Sequence, residues 1–117
     1  MMLKIKKYKN TISIFLFLFS VSAFSQKTAE EYFDDAVRKY TLSDLTGSIK
    51  DLNKAIELKP DHFEAYYMRG LTKICLDIND GCLDLRKAVE LGYIEANYAI
   101  EKYCDQNYGN AIQEALP

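Results

Sequence analysis

This sequence is short of the residues that most chemistry requires. Its 117 residues include one histidine, two prolines, five glycines and three cysteines. His62 falls in a turn between two helical stretches, where a solvated loop residue is expected in place of a catalytic imidazole. The glycines are scattered, so no glycine-rich loop can cradle a phosphate. Three cysteines without histidine partners make a poor zinc site, because structural zinc usually takes four N or S ligands. No Cys-x-x-Cys pair marks an activated thiol. Acidic side chains are spread over helix backs at positions that read as solvated, with no paired carboxylates in a cleft. The expectation is a protein that is not an enzyme, with no cofactor and no metal.

Basic charge is equally scarce once the first segment is set apart. Lys4, Lys6, Lys7 and Lys9 open the chain, and Ile12 to Phe24 is almost wholly apolar apart from serines. Ala23-Phe24-Ser25 then places small residues just before Gln26. That is the pattern of a secretory signal peptide over residues 1–25. An exported chain, periplasmic or secreted and free of the membrane after cleavage, is expected. An uncleaved anchor is the alternative, although a spanning helix needs about 20 apolar residues and this run is shorter. No cysteine follows it to carry a lipid. After Ser25 there remain eleven basic and all seventeen acidic residues, a net charge of −6. No basic run of the kind that binds nucleic acid or anionic lipid survives.

What is present is helical periodicity. Thr28 with Glu31 forms a capping-box pattern, and Tyr32, Phe33, Ala36, Val37 and Tyr40 recur at helical spacing. Ser43 or Asp44 can cap a second helix carrying Leu45, Ile49, Leu52, Ala55, Ile56 and Leu58. Pro60 stops it, having no N–H to continue and pushing Lys59 out of the α region. Gly47 and Ser48 are poor helix formers whose small size is expected to let the paired helix approach. Asp61, with Glu64 reaching back, is expected to cap a third helix to about Leu76. A fourth follows Asn79-Asp80-Gly81 and ends at Gly92, placed to be a left-handed cap. A fifth runs from Glu95 to about Cys104. No stretch alternates with period two, so no sheet is expected. Lys54-Ala55-Ile56-Glu57-Leu58 returns as Lys87-Ala88-Val89-Glu90-Leu91, and Tyr32-Phe33 as Tyr66-Tyr67. A repeat of about 33–34 residues marks a two-helix solenoid unit.

These residues resemble the tetratricopeptide repeat (TPR) family. In the first repeat, residues 29–62, Tyr32, Ala36, Ser48, Ala55 and Pro60 fall on the family's aromatic, small, small, alanine and proline positions. In the second, residues 63–92, Tyr66, Gly70, Gly81 and Ala88 do the same, with one residue fewer in the turn and Gly92-Tyr93 replacing the proline. The resemblance implies an all-α fold, a short right-handed α-solenoid of two TPR helix hairpins. Residues 93–105 would be a capping helix closing the domain of residues 26–105, and 106–117 a polar tail.

The resemblance also implies a concave groove lined by the first helix of each pair. Phe33, Val37 and Tyr40 correspond to Tyr67, Leu71 and Ile74, with Tyr98 and Lys102 on the comparable face of the fifth helix. An aromatic ladder Phe33–Tyr67–Tyr98 would receive an extended peptide or a partner helix, since flat rings give contact area at low entropic cost. The other reading of these residues is packing of a thin solenoid. The two-lysine, two-asparagine clamp by which some members hold a C-terminal carboxylate is missing, since Val37 and Met68 occupy its asparagine-type positions. The function expected is a protein-interaction module binding another protein or peptide. The alternative is a structural repeat protein that self-associates into a homodimer. If the chain is exported, its thiols tend to be bridged. Cys82 and Cys104 come level across the Gly92-Tyr93 turn; Cys75 with Cys82 is the rival pair, and unpaired thiols the remaining option.

Overall fold

The computed structural model describes residues 26–105. The signal peptide expected at 1–25 and the tail at 106–117 lie outside the described residues. Five helices follow one another: α1 Ala29–Thr41, α2 Leu45–Leu58, α3 Phe63–Cys75, α4 Gly81–Glu90 and α5 Ala96–Tyr103. There is no strand among the described residues. Each helix packs on its neighbours in sequence, and α1 also meets α3 as α3 meets α5, whereas α2 and α4 do not touch. The first helices of the hairpins therefore form a close inner layer and the second helices splay outside it. This is an all-α short solenoid of two hairpins and a closing helix.

The boundaries have local causes. The Thr28 hydroxyl accepts from the Glu31 amide while the Glu31 carboxylate accepts from the Thr28 amide, so both halves of the capping box are made. Asp44 caps α2 by accepting from the Gly47 amide at 3.0 Å. The tops of the two hairpins are built alike. Ser43 and Asp77 both take positive φ, and the next amide reaches back to Lys39 O and Lys73 O, each at 2.9 Å. Gly92, at φ 107°, ends α4 the same way, with the Tyr93 amide on Ala88 O at 2.9 Å. Each is the six-to-one bond that satisfies a terminal carbonyl.

The core repeats with the sequence. Leu52 and Ala55 of α2 are fully buried, as are Leu85 and Ala88 of α4. Hairpin closure depends on small residues: the Ser48 hydroxyl donates to Ala36 O at 2.9 Å, and Gly70 faces Gly81 so closely that a Cβ on either would lie 2.8 Å from the other's carbonyl oxygen. Ser48 thus does what its size promised, and its hydroxyl adds a bond. Gly47 does not face α1; a Cβ there would run into the Asp44 side chain that caps the helix.

An ion pair also recurs. Lys39 Nζ lies 2.7 Å from Asp51 across the first hairpin, and Lys73 Nζ 3.0 Å from Asp84 across the second. Arg69 adds a two-pronged contact to Asp84, at 2.7 and 2.6 Å, and reaches Asn53 of α2 at 2.9 Å. The expectation that the acidic residues are solvated therefore fails for Asp84, which is buried beneath two cations supplied by α3.

The closing helix is short and buries only Ala96 and Ala99. Where α1 and α3 have Ala36 and Gly70 to admit a paired helix, α5 carries Glu101, which is exposed. A disulfide between Cys82 and Cys104, with Cα atoms 5.9 Å apart, fastens α5 to α4. Cys75 is free and exposed.

Candidate functional site: the aromatic inner face

The inner layer presents a repeated pairing of rings. Phe33 of α1 packs on His62, in the turn before α3, with ring centroids 5.0 Å apart and planes at 37°. At the equivalent place one repeat later, Tyr67 of α3 meets Tyr93, in the turn before α5, edge-on at 5.0 Å and 62°. Tyr93 is sandwiched, since Phe63 stacks on it at 5.4 Å and 19°. Each first-helix ring is thus held by a ring from the turn that follows its hairpin. Tyr98 of α5 is paired with no ring among the described residues and is 70 % exposed, with Lys102 Nζ 5.9 Å from its centroid.

His62 is therefore not the solvated loop residue expected from its position in a turn. It is 5 % exposed, because Phe33 from the preceding hairpin covers it. The helix start also differs from expectation. α3 begins after His62, whose side chain caps nothing, and the expected Asp61–Glu64 capping box gives way to Glu64 Oε2 lying 3.1 Å from His62 Nδ1.

The expected groove residues divide into three groups. Phe33, Val37, Tyr40, Tyr67 and Leu71 are half-buried on the inner helices. Ile74 turns into the α3–α4 interface, where it packs on Gly81 and is not brought to the rings. Tyr98 and Lys102 are exposed at the closing end. The rings make two clasps and an open rung, and Tyr98 stacks on neither Phe33 nor Tyr67.

Sequence reasoning missed Tyr93, Phe63 and Tyr103 as members of this face. Burial pushes the Tyr40 phenol above its usual value, and the adjoining Cys75 thiol and the Tyr103 and Tyr67 phenols push the same way. Tyr67 is raised likewise, first by burial and then by Tyr93 and Tyr103. These phenols converge in a partly desolvated strip. Lys102, 5.1 Å from the Tyr103 centroid, is raised by its hydrogen bond to that phenol. A signal was available: Glu64-Ala65-Tyr66-Tyr67 and Glu95-Ala96-Asn97-Tyr98 align, and that register puts Tyr93 where His62 stands.

Fold and face together define a class: a helical-hairpin solenoid with an aromatic inner surface. Over 95 residues the chain is 34 % identical to Protein SGT1 homolog of Oryza sativa subsp. japonica, in an alignment taking in 77 % of this chain and 25 % of the rice protein. The chain thus spans about a quarter of the length of the curated relative it matches. No protein-family profile and no solved structure matches it.

Proposed function

We propose that the chain is a non-enzymatic interaction module of the tetratricopeptide-repeat kind, holding a peptide or helix of another protein on its inner face. One observation carries this reading: the ring clasp of the first hairpin is repeated in the second, and among the described residues the series ends on an open tyrosine. A ring that only filled the core would not be left 70 % exposed at the end of such a series. Large rings with few rotors are the side chains that dominate protein recognition. The likeness to the rice protein supports a module of this kind that can also occur within a longer chain.

The test uses Tyr98, whose exposure allows truncation without loss of packing. The wild-type chain and a Lys50→Ala variant, altered on the outer layer, should capture the same protein from an envelope extract. Tyr98→Ala should lose it at an unchanged melting temperature. Equal capture by Tyr98→Ala would remove the inner face from the site.

Export is part of the proposal, supported by the tripartite first segment and by the Cys82–Cys104 bridge, which suits an oxidising compartment. Intact mass from the native host should place the mature N-terminus at Gln26 or within a residue or two of it; a full-length mass in the cytosol would overturn export.

A further inference from the structure

The first clasp leaves a buried polar ring without a partner. His62 is 5 % exposed, and neither of its nitrogens makes a hydrogen bond. Buried polar groups are normally bonded, so each exception calls for an account. Its Nδ1 lies 3.1 Å from Glu64 Oε2 without the alignment of a hydrogen bond. Glu64 stands one turn ahead of Tyr67 on α3. The equivalent position on α1 is Glu30, one turn ahead of Phe33, and at the start of α5 it is Glu95, one turn ahead of Tyr98. A row of three carboxylates therefore runs beside the row of three rings, with His62 near the first two.

The row is ready to hold positive charge. Glu30 is kept below the usual carboxylate range by a backbone hydrogen bond and by Lys59, with His62 contributing. Lys59 Nζ reaches it at 3.3 Å in an exposed pair, which a ligand cation can replace at little cost. Glu64 faces an imidazole that gives it no hydrogen bond. The described residues carry sixteen acidic and eleven basic side chains, so the surrounding field also favours a cation.

We propose that the inner face binds an extended segment bearing Lys or Arg at intervals, with apolar side chains between them. This rests on the interaction-module reading above. The cations would lie on Glu30, Glu64 and Glu95, and the apolar groups on Phe33, Tyr67 and Tyr98, whose faces also attract cations. Neighbouring packed helices stand about 8–10 Å apart, which one turn of an extended polyproline II chain, three residues at about 3.1 Å each, covers with every third side chain on the same face. The ligand therefore carries a cation at every third position.

Fluorescence anisotropy on the full chain tests this with two labelled twelve-residue peptides, a Lys-Leu-Thr repeat and its Glu-Leu-Thr twin. The lysine peptide should bind about tenfold or more tighter than the twin at low salt. The pair Glu30→Gln with Glu64→Gln should weaken it about tenfold at an unchanged melting temperature, and Tyr98→Ala should weaken it as well. Equal binding of the two peptides, no binding of the lysine peptide, or indifference to the Gln pair overturns the proposal. If the charge preference vanishes while Tyr98 still matters, the interaction-module reading stands alone. Lysine-peptide binding that ignores Tyr98→Ala overturns both.

Discussion

Tyr67 and Tyr93 meet edge-on, 5.0 Å apart between centroids, at the place where Phe33 and His62 meet one repeat earlier at the same separation. The relationship couples two levels of the fold. Each turn between hairpins must be positioned for its ring to reach the previous first helix, so ring pairing sets the angle between repeats as well as the inner surface. Tyr93 enters that arrangement only if α5 is in place, and α5 buries little of its own. The disulfide is what ties the closing helix, and with it Tyr93 and Tyr103, to the second hairpin.

That tie should be measurable. Replacing both Cys82 and Cys104 by serine should lower the unfolding free energy by about 3 kcal/mol, the loop-entropy value for a cross-link of this span, here 22 residues in sequence. Cys75→Ser, at an exposed free thiol, should stay within about 0.5 kcal/mol. Urea denaturation of the oxidised proteins compares them, and equal losses would show that the bridge is not what holds α5.

Two glycines separate close backbone approach from cap chemistry. Gly70→Ala would drive a Cβ to within 2.8 Å of the Gly81 carbonyl and into Leu85, neither of which can yield cheaply. A loss of about 1–3 kcal/mol is expected. Gly47→Ala meets only the Asp44 side chain, which can rotate away at the cost of its cap, so about 1 kcal/mol is expected. Thermal unfolding should rank Gly70→Ala well below Gly47→Ala; the reverse order would mean that hairpin closure is looser than the structure shows.

The helices, their order and the alternation of hairpins were legible in the sequence because burial there follows periodicity. Leu52 with Leu85 and Ala55 with Ala88 repeat at the same frame position and are all fully buried. What was illegible depends on residues far apart in the chain. His62 reads as solvated until Phe33, on another hairpin, is laid over it. Asp84 reads as one more surface acid until Arg69 and Lys73 of the facing helix enclose it. Tyr93 sits in a turn, where periodicity assigns no face at all. The groove was therefore read from its helical half, and the half contributed by the turns was lost.

The two hairpin ion pairs should differ in weight. The Asp84 side chain is 8 % exposed, with Arg69 at 17 % and Lys73 at 12 %. Asp84→Asn leaves Arg69 without its carboxylate and Lys73 with only the more exposed Asp80, and removing one partner of a buried pair costs about 3–5 kcal/mol. Asp51→Asn opposes a Lys39 that is 38 % exposed, so solvent screening should hold its cost to about 1 kcal/mol or less. Chemical denaturation of both variants checks the contrast. Similar costs would mean that solvent reaches Asp84 as readily as Asp51.

The strip of phenols gives the fold an alkaline limit. Tyr40 and Tyr67 have pKa values raised above the ordinary 10.0, in each case by burial first, with Cys75 next for Tyr40 and Tyr93 next for Tyr67. A raised value means that the folded state prefers the neutral phenol. Below about pH 10 the phenols are neutral in folded and unfolded chains alike, and this stabilisation is fully present. Above it the unfolded chain loses protons before the folded one does, so stability falls as pH rises through the folded-state values. The urea midpoint should therefore be steady from about pH 7 to 9 and decline from about pH 10 upward. Other groups titrate in that range, which makes the double variant Tyr40→Phe with Tyr67→Phe the necessary comparison. It keeps both rings and removes both ionisations, so its decline above pH 10 should be shallower than that of the wild type. Parallel declines would show that these two phenols ionise as freely in the folded chain as in the unfolded one.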